Sequence, residues 1–248
     1  MGSPLNVMPP SKLPKSPDFP SSLHAVLHNA PKPTNAVLFL PGLGDTSQNF
    51  SSFARALNLP ETLCITLQGP TPLPLPLPEG FHWGDDLLVD QSSGDLDPDA
   101  GFGKSTQLVT QEVVENVLLS KCGFKPREIM LFGFGQGGMA ALAIAKACNS
   151  ELAGVISIGG RIPSSSMLVN GPKIKTPVLL LGGSKDSIAS EDAIKSTKET
   201  FEHVEHHQWK KADDSMPKNR EEALPMMQFF AHRLHSQKGV PEGSVELN

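Results

Sequence analysis

The stretch IMLFGFGQGG, residues 129–138, predicts a buried strand over 129–134 that runs into a glycine-rich turn. Its four leading apolar residues are typical of a parallel strand that is covered on both faces. The alanine-rich residues 136–148 that follow predict a helix. A strand, a tight turn and a helix in this order indicate an α/β fold, in which ligands bind at the carboxyl ends of the strands.

Short apolar strands also alternate with helices on both sides of this stretch. Predicted strands cover residues 23–29, 36–40, 64–67, 153–159, 177–181 and 204–209, and predicted helices cover 47–57, 105–120, 190–201 and 220–234. We therefore expect one domain over 23–235, with a mostly parallel central sheet and helices on both faces. Residues 1–22 contain six prolines and predict a disordered N-terminus, and residues 236–248 predict a flexible tail.

Residues 70–103 form an insertion that is too long for an ordinary connection and is interpreted as a lid. Within it, proline alternates with leucine or threonine over 70–78, which predicts polyproline II. We expect the apolar residues of this lid to contact a ligand; they are Leu73, Leu75, Leu77, Phe81 and Trp83.

Composition excludes several classes of function. The 248 residues include 21 Lys+Arg and 26 Asp+Glu, a net charge of −5, so a nucleic-acid partner is not predicted. No apolar run approaches the roughly 18 residues of a membrane span. The cysteines Cys64, Cys122 and Cys148 have neither disulfide nor metal-ligand spacing, which favours a reducing, cytoplasmic location. No metal, no cofactor and no particular oligomeric state are predicted.

The turn after residue 132 has two interpretations. Gly133, Gly135 and Gly138 fit the dinucleotide fingerprint, and Arg161 after the next strand would suit a 2′-phosphate, so NADP binding is one alternative. Gly133-x-Gly135-x-Gly137 also has the frame of the G-x-S-x-G nucleophile elbow, with glycine in place of serine.

Four further segments bear on this choice: LPGLGDTSQNF (40–50), LFGFGQGGMAAL (131–142), LLLGGSKD (179–186) and EEALPMMQFFAHRL (221–234). In this order they resemble the acyl-protein thioesterase/carboxylesterase (phospholipase-carboxylesterase) family of α/β-hydrolases. The resemblance covers residues 36–234. It implies an α/β-hydrolase fold, a Ser-His-Asp triad and a small ester or thioester, or its acyl chain, as the ligand.

The triad that the resemblance implies is incomplete. Gly135 stands in the nucleophile position, Asp186 in the acid position, and Asp214 or Met216 in the histidine position, since residues 210–219 contain no histidine. The backbone N–H groups of Leu43 and Gln136 match the oxyanion donors. We therefore expect a catalytically impaired binding or scaffold member of the family, a pseudoenzyme. The alternative is an ester or thioester hydrolase with a non-standard mechanism, in which Asp186 with Asp213 or Asp214 activates a water molecule.

Overall fold

The computed structural model describes residues 13–89, 94, 96–167, 170–185, 187 and 190–236. Its strands are β1 (Ala25–His28), β2 (Asn35–Leu40), β3 (Thr62–Leu67), β4 (Thr71–Pro72), β5 (Phe81–His82), β6 (Ile129–Phe134), β7 (Gly154–Ile158), β8 (Val178–Gly182) and β9 (Val204–Gln208). Its helices are α1 (Ser47–Ala56), α2 (Gly103–Leu108), a π-helix (Val109–Lys121), α3 (Gln136–Ala147), α4 (Glu191–Thr200) and α5 (Arg220–Arg233).

In the described part of the chain, seven strands form one sheet in the order β1-β3-β2-β6-β7-β8-β9. Strand β1 is antiparallel to β3, and the other neighbouring pairs are parallel. The predicted mostly parallel sheet is therefore confirmed. Strand β6, which carries the glycine-rich turn, lies in the middle of the sheet, where both faces are covered.

Alternate residues of the strands feed two apolar layers. Leu38 and Leu40 of β2 pack with α3 and the π-helix on one face, while Val37 and Phe39 pack with α1 and α5 on the other. This division follows from the two-residue period of a strand. Helices α1, α4 and α5 begin where the side chains of Thr46, Ser190 and Asn219 accept a backbone N–H of the first turn.

The segment before β1 differs from the predicted disordered N-terminus. Residues 1–12 lie outside the described residues, but Ser16–Asp18 form a 3₁₀ turn. Phe19 is 7% exposed and Leu23 is 2% exposed, because both pack into the core on the π-helix side of the sheet. At the other end, Ser236 Oγ donates to Glu61 Oε2 at 2.6 Å, and residues 237–248 of the predicted tail lie outside the described residues.

The alternation of proline predicted polyproline II over 70–78, and this prediction is wrong because the segment forms a hairpin. Strands β4 and β5 pair antiparallel, with Thr71 opposite His82. Between them the Leu77 N–H donates to Pro74 O at 3.0 Å, and the Leu75–Pro76 peptide bond is cis. The base of this hairpin is fixed because Gly80 packs directly on the Gly44 backbone, which leaves no room for a Cβ. Tertiary contacts thus override the local preference of the prolines.

The helix predicted over 105–120 is present, but most of it is a different type of helix. It is α-helical only over α2, and the π-helix follows. Cys122 N–H donates to Val117 O, five residues earlier. Buried side chains recur at intervals of four residues, at Val109, Val113 and Val117. A spacing of four residues also suits an α-helix, so it is the hydrogen bond across five residues that identifies the π-helix.

Candidate functional site

Gly135 sits in a sharp turn between β6 and α3, with φ 52° and ψ −120°. Its N–H donates to Ile158 O at 2.8 Å. A Cβ on Gly133 would collide with the Gly137 carbonyl, and one on Gly137 with the Leu40 carbonyl. The outer glycines of the elbow are therefore required by close packing. A Cβ on Gly135 itself would meet nothing within 4 Å, so open space lies where the nucleophile of an elbow would project.

The turn that follows β2 lies against this elbow. A Cβ on Gly42 would be 3.1 Å from Phe134 Cδ1. Leu43, the predicted oxyanion donor, makes no backbone hydrogen bond through its N–H to a described residue. Gln136 is the first residue of α3, so its N–H has no acceptor within the helix. Both predicted donors are therefore available, and the positive end of α3 favours negative charge beside them.

The side chain of Gln136 has a second role that the sequence did not indicate. Gln136 is 3% exposed, and its Oε1 accepts the Trp83 N–H at 2.8 Å. Its Nε2 donates to Pro98 O at 3.3 Å. Trp83 Nε1 in turn donates to Pro41 O at 2.8 Å, at the end of β2. Trp83, in the middle of the insertion, and Pro98, near its end, are thereby attached to the elbow, and Trp83 is also attached to the oxyanion turn.

The five apolar residues expected to contact a ligand do not form one surface. Leu75 is 94% exposed at the tip of the hairpin, and Trp83 is 1% exposed inside the core. Leu73, Leu77 and Phe81 are half-buried. Leu73 Cδ1 lies 3.8 Å from the position of a Cβ on Gly44, next to the oxyanion turn. Leu73 thus places an apolar side chain beside the turn carrying Leu43, and the Phe81 carbonyl accepts the Gly44 N–H of the same turn at 2.8 Å.

Asp214 and Met216, the two candidates for the histidine position, occupy different environments. Asp214 Oδ1 accepts the Gly183 N–H at 2.8 Å, and its Oδ2 would be 2.9 Å from a Cβ on Gly159. Asp214 therefore lies over the carboxyl ends of β7 and β8, one peptide unit from the Ile158 carbonyl that binds Gly135 N–H. Met216 packs into the apolar layer of α1 and α5. Asp186, the predicted acid, lies outside the described residues.

The histidines near the end of the chain are far from the elbow. His206 and His207 belong to β9, an edge strand that is three positions from β6 in the sheet. Three strand spacings amount to about 14 Å. The pKa of His206 is lowered, chiefly by burial and also by the nearby Lys198 and His207. Neither histidine takes the place of a triad base at Gly135.

Arg161 follows β7 and is bound to the insertion. Its Nη2 lies 2.8 Å from Asp99 Oδ2, which also accepts the Ser164 N–H at 3.1 Å. The Asp99 side chain is only 6% exposed. Arg161 is the residue that the NADP alternative required for a 2′-phosphate, and its charge is instead neutralised by this carboxylate.

Sequence reasoning missed two histidines that the fold brings close to the site. His82 is 2% exposed beside Gly84 and the Gln136 side chain, and burial lowers its pKa. His24 Nδ1 lies 2.8 Å from Ser47 Oγ, a serine–histidine pair at the start of α1. Because Ser47 is 0% exposed, an ester cannot reach its hydroxyl, and the pair fixes the start of α1. Neither histidine carries a sequence signal, since both positions depend on long-range packing.

The described residues contain neither a group of metal ligands nor a membrane-spanning helix. They contain no group of three or more His, Cys, Asp or Glu side chains placed to hold a metal ion. Among the same residues, no helix is both long enough and apolar enough to cross a membrane.

The chain is similar in sequence to a known family and to several of its members. The sequence profile of the phospholipase/carboxylesterase family matches residues 22–235. An uncharacterised hydrolase of Schizosaccharomyces pombe is 31% identical over 228 residues, which are 90% of this chain and 92% of the relative. Acyl-protein thioesterase 1 of Saccharomyces cerevisiae is 28% identical over 171 residues, or 61% of this chain and 70% of the relative.

Solved structures share the fold. The crystal structure of esterase PE8 has a TM-score of 0.69 at 18% identity, over 86% of this chain and 99% of that chain. Acyl-protein thioesterase 2 of Zea mays has a TM-score of 0.64, also at 18% identity, over 86% of this chain and 99% of that chain. The profile match, the elbow between β6 and α3 and the shared α/β-hydrolase fold agree, and the chain belongs to the phospholipase/carboxylesterase family.

Proposed function

We propose that this protein is a binding member of the phospholipase/carboxylesterase family that takes up an acyl chain or a small ester or thioester without forming an acyl-enzyme. The observation that carries the proposal is the open space at Gly135. The elbow keeps the backbone conformation of a nucleophile turn, with φ 52°, and yet bears no hydroxyl. An acyl-enzyme needs a side-chain nucleophile at this point, and glycine provides none.

The remaining groups of the site are suited to hold a carbonyl. The N–H groups of Leu43 and Gln136 are the predicted donors to a carbonyl oxygen, and the absence of a side chain at Gly135 leaves room for the group that a serine would attack. Two well-placed hydrogen bonds would contribute roughly 1–3 kcal/mol to binding in total. Apolar contact with the half-buried Leu73 beside the oxyanion turn would add to this.

A second function is favoured by the position of Asp214. Its carboxylate lies over the ends of β7 and β8, close to the elbow. In this alternative, Asp214 accepts a proton from a water molecule while the water oxygen attacks the ester carbonyl carbon. The negative charge on the carbonyl oxygen is stabilised by the two N–H groups, and the alcohol or thiol leaves with the proton. This is general-base hydrolysis without a covalent intermediate.

Substrate turnover and ligand binding separate the two functions. For a binding protein, we expect p-nitrophenyl butyrate and octanoyl thioester to be hydrolysed no faster than in blank buffer. An unreactive analogue, octyl methyl ketone, should bind in calorimetry. Turnover above blank that is lost in Asp214→Asn would instead establish the water-based mechanism. A serine labelled by a fluorophosphonate would contradict both.

A variant that fills the open space tests the location of the ligand. Gly135→Leu should abolish binding of the ketone, because the side chain would occupy the space above the elbow. Gly123 offers a matched control, since it also has positive φ (76°) and nothing within 4 Å of a Cβ. Gly123→Leu should show the same backbone strain, about 1–2 kcal/mol, and leave binding unchanged. Equal affinity of Gly135→Leu and the unmodified protein would place the ligand elsewhere.

A further inference from the structure

A polar cavity of about 530 Å³ lies at a distance from the elbow. It opens beside the C-terminal end of α3, at Ala147 and Asn149, whereas the elbow adjoins the N-terminal end of the same helix. Twelve helical residues separate the two ends by about 17 Å. The wall is formed by residues of the insertion, of α2, of the π-helix, of the end of α3 and of the 3₁₀ turn after β7. They are Asp85, Phe102, Gly103, Thr106, Gln107, Thr110, Gln111, Glu115, Ala147, Asn149, Ser165 and Ser166.

The π-helix determines which residues face this cavity. Thr106, Thr110 and Glu115 follow one another at intervals of four and five residues, and all three line the wall. Val109, Val113 and Val117, at intervals of four residues, are turned into the core instead. An α-helix of this sequence would rotate the later residues away from the wall, because its period is 3.6 residues.

Two hydroxyl groups on this wall are shielded from solvent and lack strong partners. Thr106 Oγ1 makes no hydrogen bond to a described residue. Thr110 is 6% exposed, and its Oγ1 has only the Cys148 thiol beside it, which is a weak partner. Buried hydroxyls are costly to leave unsatisfied, by about 1–3 kcal/mol each. Both residues line the cavity, where a ligand hydroxyl would supply the missing partner.

The chemistry of the wall selects one class of ligand. The described lining residues include no Lys, Arg or His, so an anion has no charged partner there. Asp85 already accepts the N–H groups of Gly103 and Lys104 at 2.7 Å each, which leaves Glu115 as the single carboxylate without such bonds. Phe102 is 1% exposed and offers no face to an apolar ligand. Hydroxyl and amide groups therefore dominate the available partners.

We propose that this cavity binds a neutral polyhydroxylated small molecule, a sugar or a polyol, through Glu115, Thr106, Thr110 and the amides of Gln111 and Asn149. Each of these groups accepts or donates to a hydroxyl, and the volume suits a ligand of one or two sugar rings. The site is separate from the elbow, so the proposal goes beyond the acyl-binding function and does not depend on it.

Calorimetry on the full-length protein tests the site with trehalose, maltose and myo-inositol as probes. We expect at least one to bind with a dissociation constant of about 1 mM or tighter. Glu115→Ala should weaken that binding by about tenfold or more, and Thr106→Val by about fivefold, because each removes one hydrogen-bonding group. Ser120→Ala, an exposed change on the same helix outside the wall, should leave the affinity unchanged.

Several results would overturn the proposal. One is the absence of heat from all three probes; another is binding that is equal in Glu115→Ala, Thr106→Val and the unmodified protein. Preferential binding of spermidine or inorganic phosphate would contradict the ligand class. Gly135→Leu should leave sugar binding intact, so a failure at the elbow and a failure at this cavity are distinguishable.

Discussion

Gln136 Oε1 and the backbone N–H of Trp83 form a buried hydrogen bond of 2.8 Å. Through it, the residue that opens α3 at the elbow also holds the middle of the insertion over 70–103. Gln136 Nε2 holds a segment near the end of the insertion by donating to Pro98 O. One side chain thus couples the position of the insertion to the backbone N–H that the site offers to a carbonyl.

Replacement of Gln136 by leucine should therefore destabilise the protein. Gln136→Leu leaves the Trp83 N–H buried and unpaired, and we expect a loss of about 1–3 kcal/mol in the free energy of unfolding. Urea denaturation measures it, and hydrogen exchange of the Trp83 amide should accelerate. Gln48→Leu, an exposed change at the start of α1, is the control and should stay within about 0.5 kcal/mol. Equal losses in the two variants would contradict the bridging role.

The Arg161–Asp99 pair should contribute more to the free energy of unfolding than a surface ion pair does. Asp99 is 6% exposed, so Asp99→Asn leaves the Arg161 charge beside a neutral, buried group; we expect a loss of about 1–3 kcal/mol. The matched control is Arg127–Glu151, at 2.7 Å with Arg127 70% exposed. Glu151→Gln there should cost at most about 1 kcal/mol. A double-mutant cycle with Arg161→Met measures the coupling free energy between the two side chains. A value near zero would show that the pair does not hold the insertion in place.

A serine at position 135 should fit without creating an enzyme. Open space receives the side chain, at a strain of about 1–2 kcal/mol from the positive φ. Gly135→Ser should nevertheless hydrolyse p-nitrophenyl butyrate no faster than the unmodified protein, because no imidazole of a described residue lies within 4 Å of a Cβ at this position. Activity in this single variant would show that a base is already in place.

The position of Asp214 predicts which second change supplies that base. Gly135→Ser with Asp214→His should raise the rate by about 100-fold or more over Gly135→Ser alone. Gly135→Ser with Met216→His is the matched comparison, and it should give no gain because residue 216 packs into the apolar layer. A larger gain from the Met216 variant would reverse the assignment of the histidine position.

The buried cysteines predict a loss of stability at high pH. Burial raises the pKa of the Cys64 thiol to about 12. The unfolded chain releases this proton near pH 9, whereas the folded protein keeps it until about pH 12. Above pH 9 the unfolded state therefore binds fewer protons, and the free energy of unfolding falls as pH rises.

Cys64→Val should reduce that fall when unfolding is compared at about pH 8 and about pH 10.5 under reducing conditions. Ile65→Val, at the next residue of β3, is the control: it removes a methylene group but no titrating group, so the pH dependence should be unchanged. An identical pH dependence in Cys64→Val and the unmodified protein would count against a thiol held protonated by burial.

The sequence by itself determined the α/β architecture and the absence of a nucleophilic side chain at position 135. The short apolar strands and the period of the helices depend on neighbouring residues, so β6 and α3 could be assigned within one residue of their observed ends. The absence of a hydroxyl at Gly135 is equally a property of the sequence, because no fold can add one to glycine.

Only the tertiary structure decided which groups meet at the site. It placed Asp214 rather than Met216 over the ends of β7 and β8, and it brought Gln136 to Trp83, 53 residues away. It also turned the proline-rich segment into a hairpin and the 109–121 segment into a π-helix. These outcomes depend on packing between segments distant in the chain, and such packing outweighs the local preferences that a sequence pattern expresses.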